Sequence, residues 1–189
     1  MTPFEYVSVL ISIVLGLGIT QIVTGVADII HRWSKVKLYW PHLLWIVLVF
    51  FLHLQEWWLL FDLRTVTEWR LPTFFLTILY PINLFILARV LFPGDQSAEN
   101  DMREFYLANY RKFFLLVAVL ALTSLVDNIF VHQYPIADSV ISILLALVML
   151  FGAVRGIESE ETHKVLVTIL LIVMLGSVAV NWDDWILKS

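Results

Sequence analysis

The residues able to do chemistry in this chain are few, and they gather at one depth of separate apolar runs. His53, Glu56, Asp127, Asn128, Asp138, Asn181 and Asp183 all lie near the same end of a hydrophobic stretch. Ionisable groups at such depths are costly, and they face a bundle interior or a water-filled cavity. Carboxylates ringed about a vestibule draw in cations. The cluster is therefore the first candidate for a cation- or solute-binding mouth, with Glu56 and Asp127 set deepest. The bland reading is that Asp138, Asp183 and Asp184 face water while Glu56 bonds to a neighbouring helix.

Two further chemistries use the same side chains. His53 and Glu56 stand three apart on one helix face. Imidazole with carboxylate suits zinc, manganese or iron, and Asp127 or Asp183 would complete the site. A haem protein would need axial histidine pairs. By depth these would be His42 with His163 and His53 with His132. The cofactor is thus left open between none, a metal ion and haem.

Other reactions find no support. The chain has no cysteine, which excludes disulfides, thiolate metal sites and thiol nucleophiles. It has no Gly-x-Ser-x-Gly, His-Glu-x-x-His, P-loop or dinucleotide fingerprint. Ser124 and Asp127 share a face, yet no histidine stands beside them in sequence. The balance tips away from an enzyme.

The elements that must position these residues are six apolar runs, at 4–30, 39–63, 71–92, 113–132, 137–154 and 165–185. A bilayer core about 30 Å thick takes roughly 20 helical residues to cross. Six such runs in 189 residues leave only connectors. Charged residues make up 15 % of the chain, against about 25 % in soluble domains. The expected fold is an all-α polytopic bundle of six transmembrane helices forming one domain over 1–189. The first run has no basic stretch before it and is too long for a signal sequence, so it reads as a permanent span. A net charge of −4 argues against nucleic acid as a partner.

Basic residues orient the bundle. Loops after the first, third and fifth runs hold Arg32, Lys35, Lys37, Arg89, Arg103, Arg111, Lys112, Arg155 and Lys164, while the other side holds Arg64, Arg70 and Lys188. That split, nine against three of the twelve, predicts a cytoplasmic face for the odd loops and both termini outside. The sixteen acids divide eight to a side, so the outer half carries −5 (three minus eight) and the inner half +1 (nine minus eight). Trp33 and Trp40 fall at the inner interface, and Trp57, Trp58, Trp69, Trp182 and Trp185 at the outer one.

Within the first run, Ser12, Gly16, Thr20 and Thr24 recur every fourth residue, with Gly18, Gln21, Gly25 and Asp28 beside them. Small residues on one face let a neighbouring backbone approach, so this stripe is expected to be a helix-packing seam. Thr20 and Gln21 would add polarity to a pathway lined by the first, second, fourth and sixth runs. A chain of 21.9 kDa encloses a pathway more readily as a homo-oligomer. Pro81 predicts a kink in the third run. Segment 98–112 is charged but carries Met102, Phe105, Tyr106 and Tyr110. It is expected to be a short cytoplasmic helix, capped at Ser97, running into the fourth run and lying on the membrane surface. The two halves show no internal repeat.

The run Gly16, Leu17, Gly18, Ile19, Thr20, Gln21 resembles a group of small bacterial membrane proteins of unassigned function. So do the stretch Leu38, Tyr39, Trp40, Pro41, His42, Leu43, Leu44, Trp45 and the pair Phe105, Tyr106 followed by Asn109, Tyr110, Arg111. The resemblance implies six helices in a bacterial inner membrane and brings no catalytic residues. The functional expectation therefore rests on the residues: a channel or transporter for a cation or small solute. The alternatives are a metal- or haem-binding redox protein, and a non-catalytic membrane partner that docks another protein through 98–112.

Overall fold

The computed structural model describes residues 2–66, 68–94, 100–131 and 135–180. Six helices carry the described chain: α1 (Pro3–His31), α2 (Trp40–Leu59), α3 (Leu71–Val90), α4 (Met102–Phe130), α5 (Val140–Arg155) and α6 (Glu160–Val180). Short 3-10 turns continue α2 (Leu60–Thr65) and precede α5 (Ile136–Ser139). Five helices, α2 being extended by its 3-10 turn, are long and apolar enough to cross a bilayer. The exception is α5, whose 16 residues rise about 24 Å at 1.5 Å each.

Local chemistry sets the starts. Thr2 and Glu5 form a reciprocal capping box at the head of α1, with Pro3 in the first turn. That placement uses the position where a missing N–H costs nothing. Pro41 and Pro72 open α2 and α3 in the same way. Asp101 caps α4 by accepting from the backbone N–H groups of Arg103 and Glu104 at 3.0 and 3.2 Å. Helix α3 runs unbroken through Pro81. The carbonyl that Pro81 leaves without its helical donor belongs to Thr77.

The bundle is apolar outside as well as inside, as a lipid solvent requires, and a few polar side chains are buried within it. Its outer surface carries Leu17, Val23, Ile86, Leu144, Phe151 and Ile172, whereas His42, His53, Thr77, Asn83, Ser139 and His163 are buried. The most extensive packing joins α4 to α5, α1 to α3 and α3 to α4, and α6 rests mainly on α2. Among the described residues, α5 and α6 do not pack along each other.

The α1 seam differs from the expected one. Gly16, Thr20 and Thr24 are exposed on the outside of the bundle, and Ser12 is half-buried. The buried row is Val7, Ile11, Leu15, Gly18, Ile22, Gly25 and Ile29. Gly18 receives the His53 imidazole and Gly25 the Phe92 ring, each where a Cβ would stand. Both rows hold small residues, and the one carrying branched aliphatics between its glycines meets the neighbours.

Segment 98–112 runs into the fourth span as expected, being from Met102 onward the first part of α4, but Met102, Phe105 and Tyr106 are buried in the bundle and do not lie on a membrane surface. The expected cap, Ser97, lies outside the described residues. Lys37 locks the start of α4: its N–H donates to the Asn100 carbonyl at 2.7 Å, its carbonyl accepts from Met102 N–H at 3.0 Å, and its ammonium pairs with Asp101 at 3.5 Å. Arg103 pairs with Glu160 at the start of α6. These ties gather the basic loops at one end of the bundle, here termed the basic end; the opposite end is the far end.

Candidate functional site

Two adjoining cavities run through the bundle from its far end. The smaller, about 130 Å³, is lined by Glu56, Asp127, Asn128, Gln55, Thr77, Tyr80 and Ser124, with leucines from the end of α2. The larger, about 270 Å³, descends between α2, α3, α4, α5 and α6 to Trp45. Leu52, Gln55, Tyr80 and Ser124 line both, so the two adjoin at a shared wall; together they are termed the chamber, the smaller its polar arm and the larger its apolar arm. No Lys, Arg or His lines either arm among the described residues.

Helical spacing explains the polar arm. Gln55 and Glu56 follow Leu52 by three and four residues on α2, and Asp127 follows Ser124 by three on α4. Each set therefore presents one face. Tyr80 comes from α3 between Thr77 and Pro81. Asn128 donates to Ser139 Oγ at 3.4 Å, joining α4 to the turn before α5. Glu56 of α2, Tyr80 of α3 and Asp127 of α4 all line this arm. Two carboxylates beside the Tyr80, Ser124 and Thr77 hydroxyls give this cavity an acidic, polar lining at a depth where such groups are costly.

Below the apolar arm the bundle is closed by aromatic and imidazole rings. Trp45 Nε1–H donates to Tyr106 Oη at 3.2 Å. Tyr106 Oη stands 3.0 Å from His163 Nδ1, and His163 Nε2 stands 3.0 Å from the Ile157 carbonyl. The indole can only donate and the carbonyl can only accept. The tyrosine proton therefore goes to His163 Nδ1, and His163 carries its own proton on Nε2. Ile157 N–H then donates to Tyr110 Oη at 2.9 Å. This chain of bonds ties α2, α4, α6 and the α5–α6 connection together. His42 stacks on Phe113 at 6.1 Å between ring centroids and donates from Nε2 to the Leu91 carbonyl at 2.8 Å.

The structure unites some expected site residues and separates others. Glu56, Asp127 and Asn128 share the polar arm. His53 does not join them: its Nδ1–H is spent on the Val49 carbonyl at 2.7 Å, and its Nε2 abuts Gly18 of α1. Thr20 lies on the outer face of α1, where its hydroxyl donates to the Gly16 carbonyl at 2.7 Å. Gln21 on the same helix is half-buried, and neither lines the chamber. Ser12 lines a separate far-end groove with Ser8, Trp57 and Trp58. Asn181 and Asp183 lie outside the described residues, as does the side chain of Asp138.

Metal and haem chemistry do not fit these positions. His53 and Glu56 do not meet although they stand three apart on α2: the imidazole abuts Gly18 of α1, while Glu56 lines the chamber. Among the described residues no three His, Cys, Asp or Glu side chains come together to hold a metal ion. Between His42 and His163 stands the Tyr106 ring, 6.0 and 5.4 Å from their centroids. Both nitrogens of His163 are already hydrogen-bonded, leaving none for iron. His132, the expected partner of His53, lies outside the described residues.

Sequence reasoning missed Tyr80 and the Trp45–Tyr106–His163 chain. Tyr80 had a signal, since it precedes an intrahelical proline in a polar Tyr-Pro-Ile-Asn stretch. Tyr106 and His163 lie 57 residues apart and had none.

Fold and site together define an all-helical bundle built for a bilayer, with an acid-mouthed chamber running from its far end. No protein-family model, no curated protein and no solved structure matches the chain, so the class stands on the physical features alone.

Proposed function

We propose that this chain is a carrier that moves a cation or small solute across the membrane, with the Glu56–Asp127 chamber as its binding site. The observation supporting this reading is the pair of carboxylates set with the polar groups of Gln55, Tyr80, Ser124 and Asn128 in one intramembrane cavity. Such groups mark solute and ion pathways in membrane bundles. A carrier suits the chamber better than an open channel. Its apolar arm ends on Trp45, and beneath it the Tyr106, Phe113, Phe114 and His163 side chains are fully buried. Release toward the basic end would require that layer to part, as alternating access demands.

The charge split supports a cytoplasmic basic end, both termini outside, and a cytoplasmic-membrane location in bacteria. The exposed Gly16–Thr20–Thr24 stripe supports self-association through α1. The docking alternative is less favoured, because the apolar side chains of its helix are spent inside the bundle.

The test is tracer flux through purified protein in liposomes over a panel of cations and small solutes. The Glu56→Gln/Asp127→Asn double variant runs alongside. Uptake above empty liposomes that falls at least about tenfold in the variant, equivalent to about 1.4 kcal/mol, supports the carrier. Uptake unchanged by the double substitution would refute the assigned site.

A further inference from the structure

The cations of the basic end fall into two groups. Lys37, Arg103 and Lys164 are paired with Asp101, Glu160 and Glu161 respectively. Arg111 of α4 and Arg155, the last residue of α5, are exposed and pair with no carboxylate among the described residues. We infer that these two arginines form a binding site for an anionic phospholipid of the basic-end leaflet. Its phosphate lies between their guanidinium groups, and one acyl chain lies along the outer face of α5. The site is separate from the chamber and does not rest on the carrier reading.

Three observations carry it. The first is that the fold brings the two arginines together. Gly156, directly after Arg155, has a φ of 80°, a conformation that glycine adopts without strain. A Cβ there would collide with Arg111 Nη2, so the guanidinium rests against the backbone beside Arg155. Tyr110 fixes the arrangement, because its Oη accepts from Ile157 N–H at 2.9 Å and stands 3.5 Å from Arg111 Nε. Among the described residues, the Arg111 Nη groups and the whole Arg155 guanidinium have no hydrogen-bond partner. Glu158, in the same connection, pairs with neither arginine. Their donors are therefore available to the oxygens of a phosphate, which arginine holds through parallel N–H groups.

The second observation is depth. Arg111 and Phe130 lie 19 positions apart on α4 (130 minus 111), a rise of about 28 Å. That is close to the roughly 30 Å of a hydrocarbon core, so Arg111 stands at headgroup level. The third observation is an apolar groove on α5 that ends at Arg155. Its other lining residues, Leu147, Val148, Leu150, Phe151 and Val154, are all exposed. Leu147, Phe151 and Arg155 recur every fourth residue, so one helical row leads from the hydrocarbon to the charge. A lipid whose phosphate is held at Arg155 has its acyl chain over that row, whereas a free phosphate gains nothing from it. Two cations without acids beside them disfavour the ammonium of a zwitterionic headgroup, so the site selects net negative charge.

Native mass spectrometry of the full chain, purified in detergent and stripped of lipid, tests the inference. The probes are dioleoylphosphatidylglycerol and dioleoylphosphatidylcholine, with inorganic phosphate as competitor. Saturable binding of a first phosphatidylglycerol is expected, at least about tenfold tighter than the choline lipid, the scale of charge-assisted hydrogen bonds. Arg111→Gln/Arg155→Gln should erase that preference, and each single substitution should remove part of it. Phe151→Ala should weaken both lipids about equally and leave the preference in place. Lys35→Gln/Arg89→Gln, which removes two other exposed cations of the basic end, should leave it unchanged. Equal affinity of the two lipids for the wild-type chain would overturn the inference. So would a preference that survives Arg111→Gln/Arg155→Gln, an equal loss in Lys35→Gln/Arg89→Gln, or displacement of the lipid by inorganic phosphate at equal concentration. If the double arginine variant loses its helical circular dichroism, the single variants decide, and an undiminished preference in both overturns the inference.

Discussion

Replacing Gly18 and Gly16 by alanine should have opposite effects, although the two lie only two residues apart on the same helix. At Gly18 a Cβ would collide with the His53 imidazole at Nε2. That ring cannot retreat freely, because it is fully buried and its Nδ1–H is held by the Val49 carbonyl at 2.7 Å. Either the bond breaks or α1 moves off α2. Overpacking of this kind costs about 1–3 kcal/mol, and the lost hydrogen bond about 1 kcal/mol more. Alanine's better helix propensity returns about 1 kcal/mol. Gly18→Ala should therefore destabilise by about 1–3 kcal/mol. At Gly16 nothing lies within 4 Å of a new Cβ, so only propensity acts, and Gly16→Ala should be neutral or stabilising by up to about 1 kcal/mol. Equilibrium unfolding in mixed micelles titrated with dodecyl sulfate, followed by circular dichroism, reads both. Varying protein concentration about tenfold separates any self-association from folding. Adding His53→Ala to Gly18→Ala removes the collision, so the pair should be less destabilising than the sum by about 1 kcal/mol or more. Strict additivity, or a Gly16→Ala penalty larger than that of Gly18→Ala, would refute the assigned seam.

Two other predictions follow from the basic end. Trp45→Phe and Tyr106→Phe should each destabilise, and their double-mutant cycle should show a coupling of about 0.5–1.7 kcal/mol, the range of interhelical hydrogen bonds in membranes. Additive unfolding energies would show that the 3.2 Å bond between them contributes nothing. Asp101→Ala should cost about 1 kcal/mol through loss of the α4 cap. The Asp101 carboxyl is held below its ordinary value of 3.8, first by the Glu104 backbone N–H and then by Arg103 N–H and the Lys37 ammonium. A carboxyl lowered on folding stabilises fully above the unfolded value and loses that contribution as pH falls through the folded one. The wild-type stability curve should therefore steepen downward below about pH 4 relative to Asp101→Asn. Superimposable acid limbs in an unfolding titration would sink that assignment.

The legibility of this protein in its sequence follows the range of the forces involved. Chain length against bilayer thickness is a local property, so the apolar runs, their order and the depth of Glu56, Asp127 and Asn128 could all be read directly. Even there, α5 fell short at 16 residues. The charged stretch 98–112 does run into the fourth helix, but from Met102 it packs inside the bundle and not on a surface. What the sequence lacked was contrast between faces. In water, polar residues mark the outside of a helix; in lipid both faces are apolar, and nothing in α1 alone says whether the Gly16 row or the Gly18 row turns inward. The same blindness hid the divergence of His53 and Glu56, three residues apart on α2, one against α1 and one in the chamber. Tyr106 and His163 meet across 57 residues, and the two carboxylates share a chamber only because α2 and α4 both border it. Composition and length determined that this chain is an all-helical bundle with acids at one depth. Packing alone decided which of them face one another, because in a bilayer the choice of face is made by steric fit between helices and not by solvent.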